Sequence, residues 1–98
     1  MTSYHDYPTD EQLQFIRDYD IKQGPADLIE HLKEIWHWKD YLAYSQDHRA
    51  GYLELHTGGW SGNEDIIEAL EASAFWLMYW RKSERGGHYE FEIPWSNP

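Results

Sequence analysis

The sequence predicts an α+β domain: two N-terminal helices, a β-hairpin, a crossover helix and a C-terminal β-hairpin, giving a three- to four-stranded, mostly antiparallel sheet. Three observations predict it. Apolar residues recur at helical spacing up to Trp36 and again after Glu64, residues 53–56 and 88–93 alternate strictly, and glycine turns lie between these regimes.

Pro8-Thr9-Asp10-Glu11-Gln12 opens the first helix: Thr9 caps its first amides, and Gln12, three residues on, completes a capping box. Leu13, Ile16 and Tyr19 form its inner face, with Phe15 beside them. Gly24-Pro25 ends that element and starts the next, because proline suits a first helical turn. Leu28, Leu32, Ile35 and Trp36 then recur at helical spacing, with Glu30, Lys33 and Glu34 outside. After Trp38 the period changes. Residues 41–44 and 52–56 read as a hairpin with a long turn, Leu53 and Leu55 inward, Glu54 and His56 outward.

A glycine loop follows, then a helix from about Glu64 to Ala72 with Ile66, Ile67 and Leu70 inside. The run Phe75-Trp76-Leu77-Met78-Tyr79-Trp80 fits either a continuation of that helix or a strand. Its aromatic density, and the turn residues Arg85-Gly86-Gly87 after it, favour a strand. Tyr89, Phe91 and Ile93 share one face of the last strand, which Pro94 stops, leaving 94–98 as a loose tail. As a strand, 75–80 is apolar on both faces. The face carrying Trp76, Met78 and Trp80, or their neighbours, is then covered by loops and Trp95 or offered to a partner, a second copy of the chain included.

With 98 residues the chain makes a single small domain. Its 17% aromatic content supplies large buried area per residue, which offsets a small core. The absence of cysteine excludes disulfides, thiol nucleophiles and cysteine-based zinc sites. No apolar run reaches the length of a membrane span, and the first residues lack a signal-peptide pattern, so a cytoplasmic location is expected. A formal charge of −10, from 18 acids against 8 bases, disfavours direct binding to nucleic acid or anionic membrane.

The oddest local chemistry is Thr57-Gly58-Gly59-Trp60-Ser61-Gly62-Asn63-Glu64-Asp65, a glycine turn between a strand and a helix. As a nucleophile elbow it lacks the final glycine, having Asn63 instead; a small hydrolase would need Ser61 and His88 with Glu64 or Glu68. As a phosphate cradle it lacks the lysine, and Glu64 and Asp65 place negative charge where the anion would sit. A loop built from Gly58, Gly59, Trp60, Ser61, Gly62 and Asn63 still allows a nucleotide- or sugar-like ligand against the Trp60 ring. The plainest reading makes it a helix start, with Ser61 or Asn63 as cap, Ser61 and Glu64 at capping-box spacing, and Trp60 packed back onto the body.

The six histidines, His5, His31, His37, His48, His56 and His88, are scattered, with no HExxH. His56 and His88 take outward strand positions near Glu54 and Glu90, where neighbouring strands can join them. No metal or cofactor is expected. The helix after the loop carries Glu64, Asp65, Glu68 and Glu71 without one base between Trp60 and Trp80. Glu64, Glu68 and Glu71 lie along one line, about 5–6 Å apart, a spacing comparable to phosphates along a strand. That face is either an ordinary solvated surface or an imitation of nucleic acid that engages a basic protein groove. The turn Arg81-Lys82-Ser83-Glu84-Arg85 opposes it with three bases.

The run GGWSGNEDIIEAL, followed by FW..YW..S.RGGHYEFEIP, resembles small uncharacterised proteins of tailed phages and prophages. The likeness covers residues 57–94. It implies a phage-encoded accessory protein, non-enzymatic and working in the bacterial host's cytoplasm, that binds and inhibits or modulates a host protein in the manner of an anti-defence inhibitor. The partner-binding residues of that reading are Glu64, Asp65, Glu68 and Glu71, with Trp60, Trp76 and Trp80 as anchors.

Overall fold

A computed structural model describes residues 7–94 and has the expected α+β architecture. Helices α1 (Asp10–Arg17) and α2 (Ala26–Ile35) precede strands β1 (Leu42–Gln46) and β2 (Ala50–His56). Helices α3 (Ser61–Glu71) and α4 (Ala74–Tyr79) lead to β3 (Trp80–Glu84) and β4 (His88–Pro94). The strands form one antiparallel sheet in the order β1-β2-β4-β3, so the two hairpins meet along a central β2–β4 seam. The tail beyond Pro94, with Trp95, lies outside the described residues, as does His5.

The first helix starts as its sequence requires. The Thr9 side chain accepts from the Gln12 amide at 3.1 Å, and the Gln12 side chain accepts from the Thr9 amide at 2.8 Å. Pro25 stands just before α2, whose Leu28, Ile29, Leu32 and Ile35 are buried. Leu53 and Leu55 of β2 and Phe91 and Ile93 of β4 meet these helices in one core that also holds Ile66, Ile67, Leu70 and Phe75. The opposite sheet face is polar. Residues paired directly across strands share a face, so Glu54 lies beside Glu90 and His56 beside His88.

Residues 75–79 are helical, which overturns the strand expected there; only Trp80 begins β3. Ser73 is the physical reason. Its hydroxyl donates to the Leu70 carbonyl at 2.6 Å, closing α3, and accepts from the Trp76 amide at 3.3 Å, opening α4. The aromatic density serves i, i+4 pairs: Phe75 with Tyr79 at 5.1 Å, and Trp76 stacked on Trp80 at 5.9 Å. Phe75 and Trp76 pack on Phe91, while Leu77 and Met78 face outward at 86% and 61% exposure. The apolar strip is therefore divided between core and surface by helical geometry, not by strand alternation. No helix among the described residues is long and apolar enough to cross a membrane.

Candidate functional site

The acidic line of α3 borders a groove. Glu64, Asp65, Glu68 and Glu71 form one side, and Thr57, Gly87 and Tyr89 contribute to the rest. All four acids are exposed, and none of their carboxylates makes a hydrogen bond or ion pair with a described residue. Burial, followed by the charges of Glu71 and Glu64, holds the Tyr89 phenol above its ordinary range. Thr57 and Gly87 are held together there: the Thr57 amide donates to the Gly87 carbonyl at 3.0 Å.

The glycine loop shapes this end of the molecule without the expected side-chain cap. Trp60 is the N-cap residue and makes no capping bond, while Ser61 and Asn63 are already inside the helix. The expected Ser61–Glu64 capping box is therefore absent. Asn63 is fully buried, and its side chain is drawn into the gap between the loop and the chain after α2. There it accepts from the His37 amide at 3.0 Å and donates to the carbonyls of His37, at 3.0 Å, and Thr57, at 3.3 Å. Satisfying those main-chain groups outweighs capping, because buried polar groups without partners are costly.

Trp60 packs back onto the body as expected. Its ring stacks on His37 at 4.3 Å, sits 4.7 Å from Tyr7 and covers Gly62 so closely that a Cβ there would meet it at 2.2 Å. The Ser61 hydroxyl bonds to that of Tyr7 at 2.9 Å, and His88 Nε2 to Glu90 at 2.8 Å. Ser61 and His88 share no hydrogen bond, so the relay a hydrolase would need is not assembled. Two of the loop's amides are already used: that of Gly59 donates to the Thr57 hydroxyl, and that of Trp60 to the Thr57 carbonyl.

The remaining candidates fall elsewhere. Trp76 and Trp80 stand apart from the groove, Trp76 touching one of its walls edge-on through Tyr89 at 5.9 Å. The expected basic turn is largely strand, since β3 runs to Glu84 and the turn is Arg85, Gly86 and Gly87. Two of its three bases are partnered: Arg81 with Glu92 at 2.5 Å, Lys82 with Glu84 at 3.1 Å. His56 and His88 do meet across the seam, ring centroids 4.5 Å apart. Among the described residues, no group of three or more His, Cys, Asp or Glu is placed to hold a metal ion.

Sequence reasoning missed one cluster. Trp38 has a left-handed backbone, φ 64° and ψ 89°, and is the only non-glycine residue with positive φ among the described residues. That conformation costs about 1–2 kcal/mol for a residue with a Cβ. Trp38 and Tyr41 pack over Gly58, where a Cβ would meet their rings at 2.6 and 2.7 Å. The signal available in the sequence was the density of rings in Trp36-His37-Trp38-Lys39-Asp40-Tyr41, between a helix and a hairpin.

Compared with known protein families, curated proteins and solved structures, the chain matches none of them.

Proposed function

We propose that this chain is a non-enzymatic binding protein that engages a basic protein partner through the groove between α3 and the Thr57–Gly87 contact. The observation that carries the reading is the row of unpaired carboxylates, Glu64, Glu68 and Glu71, along one side of that groove. Like charges at i, i+4 and i, i+3 destabilise an isolated helix, and a cationic partner relieves that repulsion. The likeness of residues 57–94 to phage-encoded proteins extends the reading: the partner is a host protein that handles nucleic acid, and occupation of its basic surface inhibits it. Long-range attraction from a net charge of −10 speeds such an encounter.

The test is affinity capture from bacterial lysate, with wild type and a Glu68→Lys/Glu71→Lys variant run in parallel at rising salt. A partner that is lost on charge reversal and released by salt supports the reading. A partner held equally by both proteins at all salt concentrations rejects the acidic groove as the binding surface.

A further inference from the structure

Trp38, Lys39, Asp40, Tyr41 and Gly58 line an open cleft of about 470 Å³. The Trp38 and Tyr41 rings meet at 66° with centroids 5.6 Å apart, forming two walls of a corner. Both remain nearly half exposed, at 45% and 44%. The Asp40 carboxylate makes no hydrogen bond or ion pair with a described residue. The one base lining the cleft, Lys39, is drawn towards the Lys33 carbonyl, to which its ammonium donates; it keeps its charge. Two aromatic rings and one carboxylate without an ion-pair partner among the described residues are the chemistry that attracts an organic ammonium group. A phosphate-bearing or neutral ligand gains nothing from Asp40, and phosphate is repelled by the molecule's charge.

We propose that this cleft binds an ammonium group about the size of tetramethylammonium, and that its natural source is a lysine side chain, methylated or not, on the protein partner. The first half stands on the cleft alone. The second rests on the basic-partner reading above, since Thr57 and Gly58, adjacent in the chain, line the groove and the cleft respectively. The strained backbone at Trp38 then has a use: it turns an indole outward over Gly58, where an ordinary backbone would not hold it.

The cleft is tested by following the indole N–H resonance of Trp38 by NMR during titration. The probes are tetramethylammonium chloride, choline, and the neutral choline isostere 3,3-dimethylbutan-1-ol. Saturable shifts with both cations but not with the alcohol are expected. Asp40→Asn weakens cation binding roughly two- to fivefold, the scale of a solvent-exposed ion pair. Trp38→Gly, which accepts the left-handed backbone without strain and is followed through the Gly58 backbone amide because the indole is gone, abolishes binding; its amide spectrum checks that the fold is kept. Equal shifts with the neutral alcohol, no saturation with either cation, or unchanged binding in Asp40→Asn overturns the proposal.

The source is tested with a lysine-containing peptide, its trimethyl-lysine form, and phosphatidylcholine vesicles. Binding of either peptide that is lost in Trp38→Gly supports the protein source; binding of vesicles alone rejects it. Glu68→Lys/Glu71→Lys must leave the tetramethylammonium titration unchanged, so failure of the groove and failure of the cleft are read separately.

Discussion

The Asn63 side chain and the His37 main chain exchange two hydrogen bonds, each 3.0 Å long, across 26 residues of sequence. An amide side chain here pairs with a peptide group as a neighbouring strand would, and it ties the aromatic segment after α2 to the start of α3. Asn63→Ala leaves the His37 groups and the Thr57 carbonyl short of partners in a site where Asn63 itself is fully buried. The expected cost is about 2–4 kcal/mol, measured by urea unfolding. Asn63→Asp keeps the acceptor but loses both donated bonds and buries a charge, so it too is destabilising, increasingly as pH rises. An Asn63→Ala protein as stable as wild type would show that these bonds hold nothing together.

Gly58 and Gly59 both have positive φ, at 64° and 77°, but their surroundings differ. A methyl at Gly59 meets nothing within 4 Å, so Gly59→Ala costs only its backbone strain, about 1 kcal/mol. The same change at Gly58 must also displace the Trp38 and Tyr41 rings. Gly58→Ala is therefore expected to be the more destabilising and to shift the Trp38 indole resonance, whereas Gly59→Ala leaves that resonance in place. Equal effects would contradict the packing of the rings on Gly58.

The helical form of residues 74–79 separates two neighbouring apolar residues. Phe75→Ala empties a fully buried site and should cost about 3–5 kcal/mol. Leu77→Asp, at 86% exposure, should change stability by less than about 0.5 kcal/mol. Thermal unfolding of the two variants distinguishes this geometry from a strand.

Alkaline stability follows from two tyrosines. Burial, then Asp27, raises the Tyr19 phenol, which donates to the Gly24 carbonyl at 2.5 Å; Tyr89 is raised by burial, then Glu71 and Glu64. Because the folded state prefers both phenols neutral, their stabilisation is fully present below the unfolded value near pH 10. It is lost as pH rises through the higher folded values. Glu71→Gln should lower the Tyr89 titration, read by phenolate absorbance, and leave Tyr19 unmoved. A Tyr89 midpoint unaffected by that change would remove Glu71 from the groove's electrostatics.

What could be read from the sequence was whatever depends on spacing within one segment. The Thr9–Gln12 box, the alternation of Leu53 and Leu55, that of Phe91 and Ile93, and the Gly86-Gly87 turn are of this kind, and each is found as expected. Residues 75–79 escaped because large aromatics suit strand pairs and helical i, i+4 pairs equally, and one hydroxyl, that of Ser73, decides between them. Asn63 escaped for a different reason. Near a helix start its local role is a cap, and only a distant main chain, at His37, gives it something better to bind. Glu64, Glu68 and Glu71 were read as one line from their spacing, but Thr57, Gly87 and Tyr89, which line the same groove, are brought there by the topology alone. Trp38 and Asp40 belong to no periodic pattern, and Tyr41, expected to open the first strand, instead ends the short 3-10 turn Lys39–Tyr41 before β1.

The strand order β1-β2-β4-β3 also dictates an order of assembly. Each hairpin closes over a turn of three residues, whereas the seam that pairs Leu53 with Phe91 must first enclose both α3 and α4. Loop-closure entropy makes that pairing the slow one. Refolding should therefore produce two hairpins before it produces one sheet. The middle strand records the sequence of events itself, because alternate amides of β2 point towards β1 and towards β4. Pulse-labelled hydrogen exchange should protect the first set before the second; simultaneous protection of both would mean that the seam forms with the hairpins.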